Sequence, residues 1–390
     1  MQSMSFLQNK VILIISPQSW GGMFLSKHHY AIELAKRGNV VYFLNPPDQE
    51  KISFRESISI TRAGDQQNLF FISYSLFFPY ILKYKMRSFF DWLMRIQTYR
   101  LLKEIGNPID IVWSFDLENL VQLSFFESST YTIFHPVDEP SHPVAIRAAR
   151  GASIIFSVTR EILAQYHEFK APRYFINHGV TEDFINGDVA EWKQGTGIHI
   201  GYSGNLLRKD VDRKVLMEII EKNPDYIFEF WGSYTGNQSN IGGSEDSETS
   251  QFINVLKNCS NVVLHGVVSP KVLAVAMGKM DAFLICYDIL KDQGKGTNYH
   301  KVIEYIATGR AIISNNITTY HSLRDLIYMT NERNNNDKLP ALFKTITGSL
   351  YRYNSNELRQ LRRNYARENT YSRQLKLIES LIESSRSANS

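Results

Sequence analysis

The sequence predicts an α/β protein made of two tandem Rossmann-like domains. Short apolar runs alternate with amphipathic helical stretches, and this alternation stops at a polar segment and then restarts. The 390 residues are also too many for one ordinary domain. Because strands separated by helices form parallel sheets, we expect two helix-covered sheets facing across a cleft, followed by C-terminal amphipathic helices.

The first domain is predicted over residues 1–181, and a linker rich in glycine and charge over residues 182–197. Its first helix, Ser26–Arg37, has apolar residues on one face and ends at Gly38. The predicted strands of this domain are Val11–Ser16, Val40–Leu44, Ile109–Phe115, Tyr131–His135, Ser153–Val158 and Arg173–Ile176.

The second domain is predicted over residues 198–350, and residues 351–390 form a helical tail that packs back toward the first domain. Within this domain Gly236–Gln251 is mostly Gly, Ser, Asn, Asp and Glu, which predicts a low-complexity loop. In the tail, charged residues alternate with Leu and Ile at helical spacing. The predicted strands are Ile198–Ser203, Tyr226–Trp231, Val262–His265, Ala282–Tyr287 and Ala311–Ser314.

Composition indicates a globular protein with large apolar cores, since 43% of the residues are hydrophobic and 21% are charged. The net charge of +4 is mild, and without a zinc-finger or arginine-rich segment it does not indicate nucleic acid as a partner. The two cysteines, Cys259 and Cys286, favour a reducing compartment without disulfides. No apolar run is long enough for a signal peptide or a spanning helix, which favours the cytoplasm.

The most informative segment is Gly296–Ser314, which predicts a loop, a helix, a turn at Gly309 and a buried strand. Lys301 and Glu304 lie three residues apart near the helix start, so both project from one face. A helix N-terminus with a lysine attracts phosphate, and a carboxylate one turn later can accept hydrogen bonds from ribose hydroxyls. An exposed ion pair between the two side chains is the alternative.

A second phosphate contact is predicted where strand Ile198–Ser203 ends. Gly204 has no Cβ and would let a phosphate approach the backbone, and Arg208 and Lys209 follow it closely enough to neutralise a diphosphate. Ligands of open α/β sheets bind at such strand ends. A glycine turn followed by solvated bases is the alternative.

Two further strands end in glycine beside a ring, at Trp231–Gly232 and at His265–Gly266. Such positions can flank a nucleobase by stacking or by backbone hydrogen bonds, although strand-ending glycines are common. The pair Asp210 and Asp212 has the spacing that can hold a divalent metal. A helix N-cap with a nearby acid explains this pair more simply, so we predict no metal.

The order of these motifs resembles the donor domain of GT-B glycosyltransferases, and most closely the family-4-like enzymes of bacterial polysaccharide assembly. The resemblance implies that Glu304 binds the donor ribose, that Lys301, Arg208 and Lys209 bind the diphosphate, and that Tyr299 lies beside them. Related enzymes often carry an acid where this chain has Thr297, so the role of that acid would fall to Thr297 or to backbone groups, or would be absent here. The motifs are Gly-Tyr-Ser-Gly at 201–204, Phe-Trp-Gly at 230–232, Asn-Val-x-x-x-Gly at 261–266 and Lys-x-x-Glu-Tyr-x-Ala-x-Gly at 301–309.

The resemblance extends to the first domain through Trp20–Gly22, Ser26–His29 and Asn45–Pro47. It implies that Gly21 and Gly22 line the cleft and that Lys27 and His28 contact the acceptor. Core packing is an equally good explanation of His28. The glycine loop lacks G-x-G-x-x-G and the Gly-Lys-Ser/Thr ending of a P-loop, so neither a dehydrogenase nor an NTPase is expected.

A catalytic base is predicted directly after strand Tyr131–His135, where His135, Asp138 and Glu139 follow one another closely. A carboxylate there could deprotonate an acceptor hydroxyl, and a histidine could do so or bind the transferred sugar. We assign Asp138 as the base and His135 as a sugar or acceptor contact. A turn between two prolines with solvated acids is the alternative, and retaining relatives need no protein base.

Residues 69–103 are dense in aromatic and basic side chains. This combination suits a bilayer interface with anionic headgroups, which a polyprenyl-linked acceptor would need. The alternative is that the aromatic side chains are core and the bases lie outside. The residues concerned are Phe70, Phe71, Tyr74, Phe77, Phe78, Tyr80, Tyr84, Phe89, Phe90 and Trp92, with Lys83, Lys85, Arg87, Arg95, Arg100 and Lys103.

The sequence therefore predicts a glycosyltransferase that moves a sugar from a nucleotide-sugar to a hydroxyl of a glycan or lipid-linked glycan in cell-surface polysaccharide synthesis. No metal or other cofactor is expected, because cationic side chains and helix N-termini supply the positive charge. The expected location is the bacterial cytoplasm, peripherally at the inner face of the plasma membrane. A nucleotide-sugar epimerase of the same fold and a non-catalytic membrane-surface assembly subunit are the alternatives.

Overall fold

The computed structural model describes residues 5–21, 24–53, 57–64, 66–187, 197–236, 246–292 and 297–389. The chain forms two compact units, the first made of Met1–Asn177 together with Tyr371–Ser390 and the second of His178–Thr370. Each unit contains a largely parallel sheet covered by helices, so the predicted two-domain α/β architecture is confirmed.

In chain order, the strands of the described residues are β1 Val11–Ile15, β2 Val40–Leu44, β3 Asp48–Ile52, β4 Ile58–Arg62, β5 Leu69–Leu76, β6 Ile111–Ser114, β7 Tyr131–Phe134, β8 Ile154–Ser157, β9 Arg173–Phe175, β10 Ile198–Ser203, β11 Tyr226–Trp231, β12 Val262–Gly266, β13 Ala282–Ile285, β14 Ala311–Ser314 and β15 Tyr328–Met329. The helices are α1 Ser26–Lys36, α2 Leu82–Lys85, α3 Arg87–Ile105, α4 Pro143–Arg147, α5 Arg160–Ala164, α6 Glu182–Asn186, α7 Arg213–Glu221, α8 Ser247–Asn258, α9 Pro270–Met277, α10 His300–Thr308, α11 Leu339–Thr347, α12 Leu350–Tyr353, α13 Asn356–Glu368 and α14 Tyr371–Asn389.

In the first unit the strands are hydrogen-bonded in the order β3-β5-β2-β1-β6-β7-β8-β9, and β4 joins β5 antiparallel. The central strands are fully buried apolar runs, as expected for parallel strands covered on both faces. The strand order reverses between β1 and β6, so the loops after these two strands lie side by side at the carboxyl end of the sheet.

In the second unit the strands are hydrogen-bonded in the order β12-β11-β10-β13-β14-β15, and each pair is parallel. This is a doubly wound sheet whose order reverses between β10 and β13. Because ligands of such sheets bind at the reversal, a site is expected at the loops after β10 and β13.

The C-terminal helices divide between the two units. Helix α13 belongs to the second unit because buried Arg362 donates to the carbonyls of Leu326 at 3.0 Å and Gly309 at 3.1 Å. Helix α14 belongs to the first unit, where Arg37 donates to the carbonyl of Ser372 at 2.9 Å. The return therefore begins at Tyr371, later than the predicted tail boundary of residue 351.

Several predicted segments differ from the structure. Residues 182–186 of the predicted linker form α6, and residues 247–251 of the predicted loop belong to α8. The remaining linker residues 188–196 and loop residues 237–245 lie outside the described residues. Cys259 and Cys286 are both free thiols. Within the described ranges, no helix combines the length and apolarity needed to cross a bilayer.

Candidate functional site

Closely packed glycines connect three strand ends at the carboxyl edge of the second sheet. The amide of Gly204 donates to the carbonyl of Trp231 at 2.8 Å, and the amide of Gly232 donates to the carbonyl of Gly266 at 2.8 Å. Gly232 has a φ of 128°, and a Cβ on it would overlap the carbonyl oxygen of Gly204. The approach of these backbones therefore requires glycine at position 232.

The ammonium group of Lys301 lies directly over Gly204. A Cβ added to Gly204 would collide with Lys301 Nζ, which donates to the hydroxyl of Tyr287 at 2.6 Å. The same Nζ lies 4.4 Å from the ring centre of Tyr202 and 4.8 Å from that of Tyr287. The structure thus brings together two predicted site residues that are far apart in sequence, at the point where the sheet order reverses.

Arg208 approaches the same place from the loop after β10. Its guanidinium carbon lies 5.9 Å from the ring centre of Tyr287. Its Nε donates to the carboxylate of Asp210 at 2.8 and 3.0 Å, and this hydrogen bonding raises the pKa of Arg208. A second carboxylate, Asp292, lies 3.9 Å from its terminal nitrogen. Lys301 and Arg208 therefore share one aromatic ring.

Arg208 and Asp210 are each the first member of a predicted pair, and the second members, Lys209 and Asp212, make different contacts. Lys209 is largely exposed, and its Nζ lies 2.8 Å from Asp246. Asp212 caps α7 by accepting from the amide of Val215 at 3.2 Å, and it also accepts from Asn336 at 2.8 Å. The N-cap explanation of Asp212 is thereby confirmed. Among the described residues, no group of three or more His, Cys, Asp or Glu side chains is arranged to hold a metal ion.

Glu304 is half-buried on the second turn of α10. Its Oε1 lies 3.3 Å from Nδ1 of His300, and among the described residues it makes no ion pair with Lys301. Burial raises the pKa of Glu304 to about 7, although the charge of Lys301 opposes this shift. Burial also lowers the pKa of His300 to about 4. The simple exposed ion pair is therefore not how these residues are arranged.

Thr297 and Tyr299 hold the loop before α10, which begins at His300, later than the sequence suggests. Thr297 is fully buried, its hydroxyl accepts from the amide of Thr318 at 3.2 Å, and its own amide donates to the Thr318 hydroxyl at 2.9 Å. Tyr299 donates to Asp292 at 2.6 Å. Both predicted donor contacts thus have partners within the protein.

The rings predicted to flank a nucleobase lie stacked on each other. The ring of Trp231, itself buried, is 4.7 Å from that of His265 with only 6° between their planes. Nε2 of His265 lies 2.8 Å from one oxygen of Glu229, and Nδ1 of His199 lies 2.6 Å from the other oxygen. His265 is the outer ring of this stack, so it is the more accessible surface for a base.

In the first unit, His135 follows β7 inside an aromatic cluster. Its ring is stacked 5.1 Å from Phe115 and 6.0 Å from Trp113, and among the described residues neither ring nitrogen has a hydrogen-bond partner. Burial and the nearby Lys27 lower the pKa of His135 to about 3. The imidazole is therefore neutral and weakly basic, which favours Asp138 over His135 as a base.

Lys27 is buried beside the reversal of the first sheet. Its Nζ donates to the side-chain oxygen of Gln18, and burial lowers its pKa to about 8 against the opposing charges of Asp138 and Asp116. Asp138 is exposed, whereas Asp116 is buried and accepts from the amides of Glu118 at 2.9 Å and Leu120 at 2.8 Å. Lys27 thus lies within electrostatic reach of the predicted base.

The remaining acceptor-side predictions lie around α1. His28 is fully buried, accepts from the amide of Leu25 at 3.0 Å, and donates through Nε2 to the carbonyl of Ser19 at 3.1 Å. Burial lowers its pKa to about 4, so the core-packing explanation describes its position. Gly21 has a φ of 103° and open space around it, while Gly22 lies outside the described residues.

Tyr287 and Asp116 belong to these two sites but were not predicted. Tyr287 closes the predicted strand Ala282–Tyr287, and Asp116 directly follows the predicted strand Ile109–Phe115. Both follow a strand that borders the sheet reversal, β13 in the second unit and β6 in the first. Strand order is the signal that would have found them, and it is a tertiary property.

No protein-family model and no curated protein sequence matches this chain. Solved structures do match it. A sucrose-phosphate synthase from Thermosynechococcus elongatus superposes with a TM-score of 0.69 at 10% identity, covering 97% of this chain and 100% of that chain. The Anabaena protein HepE in complex with UDP and glucose gives 0.63 at 13% identity, covering 95% of this chain and 99% of that chain.

A third match is the lipopolysaccharide outer core galactosyltransferase WaaB, with a TM-score of 0.61 at 14% identity over 96% of this chain and 99% of that chain. The fold is GT-B. At identities this low, the superpositions establish the fold alone. They confirm the fold class expected from the motif order. In this GT-B chain, the reversal of the second sheet is where Gly204, Tyr287 and Lys301 meet.

Proposed function

We propose that this protein is a glycosyltransferase that transfers a sugar from a nucleotide-sugar to an acceptor hydroxyl. The observation that carries the proposal is the position of Lys301 Nζ over Gly204, with the Arg208 guanidinium also within 5.9 Å of the centre of the shared Tyr287 ring. Two cations at the reversal of a doubly wound sheet suit a diphosphate. The GT-B fold, shared with sugar-transferring enzymes, supports the same reading.

The proposed donor is a uridine diphosphate sugar. HepE is described in complexes with UDP and with UDP-glucose, which makes this nucleotide the first to test. Glu304 would accept hydrogen bonds from the ribose hydroxyls, one turn beyond the phosphate ligand Lys301. His265 would offer its exposed ring to the base, since it covers Trp231.

The transfer breaks the bond between the sugar C1 and the donor phosphate oxygen and forms a bond from C1 to the acceptor oxygen. Lys301, Arg208 and the N-terminus of α10 would stabilise the negative charge that develops on the leaving diphosphate, without a metal or another cofactor. Lys209 contributes less because Asp246 already pairs with it. Asp138 would take the acceptor proton if the reaction inverts configuration, whereas in a retaining reaction the leaving phosphate would take it.

The proposed acceptor is a glycan or a lipid-linked glycan of bacterial cell-surface polysaccharide, such as an exopolysaccharide. The enzyme would then work in the cytoplasm, peripherally at the inner face of the plasma membrane. The exposed rings of the α2–α3 region support a membrane partner. Lys27 and the loop at Gly21 and Gly22 would contribute to the acceptor side.

One assay separates this proposal from its alternatives. The protein is incubated with a panel of nucleotide-sugars, with and without a membrane lipid extract, and nucleotide diphosphate release is followed. Release stimulated by the extract supports transfer. A changed sugar with the diphosphate intact would indicate an epimerase, and binding without either outcome would indicate an assembly subunit.

The donor assignment is tested by Glu304→Ala. We expect this change to weaken UDP-glucose binding by about 1.5–3 kcal/mol, because a half-buried carboxylate that accepts ribose hydroxyls is lost. Isothermal titration measures the affinity, and Glu218→Ala on the exposed face of α7 is the matched control. Unchanged affinity in the Glu304 variant would refute the ribose assignment.

A further inference from the structure

The helix α3 presents an aromatic face that the rest of the first unit does not cover. Phe89, Trp92, Ile96 and Tyr99 recur at helical spacing along this face, and Trp92 is 56% and Tyr99 69% exposed. The opposite face, with Phe90 at its start, packs into the core. The aromatic-rich region predicted over residues 69–103 is thus part core and part surface.

Helix α2 and its flanking residues extend this face. Ile81, Tyr84 and Met86 are each more than half exposed, and Tyr84 reaches 70%. Together with α3 they form an apolar surface over residues 81–103, which we name the α2–α3 face. Isolated exposed apolar residues are ordinary, but a contiguous aromatic set on one helix side marks a binding surface.

The same residues carry the positive charge of the whole chain. Residues 81–103 contain six Lys or Arg side chains and one acid, Asp91, a net +5, and Glu104 directly after them brings the sum to +4, the net charge of the whole chain. The other residues therefore sum to about neutrality. Asp91 is itself paired with Arg87 at 2.8 Å, which leaves Arg95 and Lys103 beside the aromatic rings as exposed cations.

This charge pattern selects among the surfaces that could cover the α2–α3 face. A second copy of the chain would bring Arg95 and Lys103 against an equally positive face, which costs free energy. Rings flanked by cations, with no unpaired acid between them, instead match the interface of an anionic bilayer, where rings sit at headgroup depth.

The α2–α3 face is also bonded to the loops at the carboxyl end of the first sheet. Lys83 donates to the carboxylate of Glu118, and Arg87 donates to the carbonyl of Asn119 at 2.9 Å. Glu118 lies in the loop that Asp116 holds, directly after β6. Helices α2 and α3 are therefore hydrogen-bonded to the loop on the candidate acceptor side.

We propose that the α2–α3 face binds the surface of an anionic phospholipid bilayer, with the Trp92 and Tyr99 rings at headgroup depth and Arg95 and Lys103 on the lipid phosphates. This deepens the proposed function, since it identifies the bilayer as the source of a lipid-linked acceptor. Binding should weaken with salt, because the charged part of the attraction is screened.

The test is cosedimentation of the full chain with phosphatidylcholine vesicles, with and without phosphatidylglycerol. We expect binding only to the anionic vesicles. Trp92→Ser with Tyr99→Ser should reduce the partition coefficient by about tenfold or more, and Arg95→Ala with Lys103→Ala by about fivefold for each base removed. Tyr351→Ser, which removes a 68% exposed ring in the second unit, and Lys222→Ala with Lys257→Ala are the matched controls and should bind unchanged.

Several outcomes would overturn the proposal: no binding to anionic vesicles, equal binding to neutral ones, or equal losses in the controls. A dimer that forms without lipid and disappears in the Trp92 and Tyr99 variant would assign the face to a second copy instead. Because the vesicles are used without a nucleotide-sugar, failure here leaves the donor-binding and transfer measurements standing. Vesicle binding by a protein without transferase activity would refute the transfer alone.

Discussion

A cation that is to meet a phosphate has to be held in place without being neutralised. Lys301 achieves this through the rings of Tyr202 and Tyr287 and through one hydroxyl, all of them uncharged partners. Arg208 differs, because Asp210 already offsets part of its charge. At the residue scale, Lys301 is therefore the stronger attraction for a diphosphate, and Tyr287 is the residue that contacts both cations.

Two substitutions of Tyr287 separate the contribution of its ring to UDP binding from the contribution of its hydroxyl. Tyr287→Phe should weaken UDP binding by about 0.5–1.5 kcal/mol through the lost hydrogen bond to Lys301. Tyr287→Leu should cost about 0.5–2 kcal/mol more, because the cation–π contacts are lost as well. Titration calorimetry gives the affinities, with Tyr351→Phe as the control. Equal affinities for Tyr287→Phe and Tyr287→Leu would show that the ring does not position the cations.

The raised pKa of Glu304 predicts how donor binding depends on pH. An ionised carboxylate accepts ribose hydroxyls better than a protonated one, and burial places this pKa at about 7. UDP-glucose affinity should therefore rise as pH rises through about 7, and at about pH 6 it should be roughly tenfold weaker than the high-pH limit. Glu304→Gln should flatten this profile.

UDP-glucose is the appropriate probe because its diphosphate diester does not titrate near neutral pH, unlike the terminal phosphate of UDP. His300 does not contribute, since its lowered pKa of about 4 keeps it neutral over this range. A wild-type profile that is already flat would contradict the assigned role of Glu304.

At the scale of strands and helices, most strands that the sequence predicted lie inside the sheets, although the edge strands β9 and β12 were predicted too and the interior strand β5 was not. Runs such as Val40–Leu44 and Ala311–Ser314 are observed with the predicted bounds, because a parallel strand covered on both faces is a largely continuous apolar run. Strand β3 reads Asp-Gln-Glu-Lys-Ile and is fully exposed, so no apolar pattern marks it. Its position depends on its partner β5, which the sequence does not reveal.

The candidate site was predictable to the same degree. The motif order singled out Gly204 and Lys301, which the structure brings together, because strand ends and helix starts leave local signals. The partners of these residues were not predictable, since Tyr287 and Asp292 reach Lys301 and Arg208 only through the packing of β10, β13 and α10. Likewise, nothing local indicates that Thr297 is bonded to Thr318.

The packing of strand ends predicts different effects for two glycine substitutions. In Gly204→Ala, at a φ of 155°, the new Cβ meets the end of the Lys301 side chain, which can shift, so UDP binding should weaken and only the backbone strain should lower the stability. In Gly232→Ala the Cβ meets the backbone carbonyl of Gly204 at positive φ, and we expect a loss of about 1–3 kcal/mol in the free energy of unfolding.

Chemical denaturation and UDP titration on both variants test this contrast. Gly197→Ala is the control, because nothing lies within 4 Å of a Cβ there. If Gly204→Ala binds UDP like the wild type, then the position of Lys301 over Gly204 does not matter for the phosphates, and the proposed role of this contact is wrong.

At the scale of the whole molecule, the chain leaves the first unit after Asn177 and returns to it at Tyr371. The second unit is therefore one continuous segment, whereas the first needs both ends of the chain. Helix α14 adds the fully buried side chains of Leu375, Ile378 and Ile382 to the core around α1. It is part of that core, although its sequence pattern is that of an amphipathic tail.

This connectivity predicts that the two units depend differently on the C-terminus. Residues 178–370 should fold alone and bind UDP. The donor-side residues lie within that segment, and so does Arg362 of α13, which is bonded to Gly309 at the end of α10. Residues 1–177 should be unstable, because losing three buried aliphatic side chains costs on the order of 2–5 kcal/mol each, against a total stability of about 5–15 kcal/mol.

The measurements are thermal unfolding by circular dichroism for each fragment and UDP titration for residues 178–370. Adding a peptide of residues 371–390 should stabilise residues 1–177, and a peptide with Leu375→Ser and Ile378→Ser serves as the matched control, since both side chains are fully buried. Cooperative unfolding of residues 1–177 without the peptide would contradict the structural role of α14. Failure of residues 178–370 to fold would instead show that the second unit depends on the first.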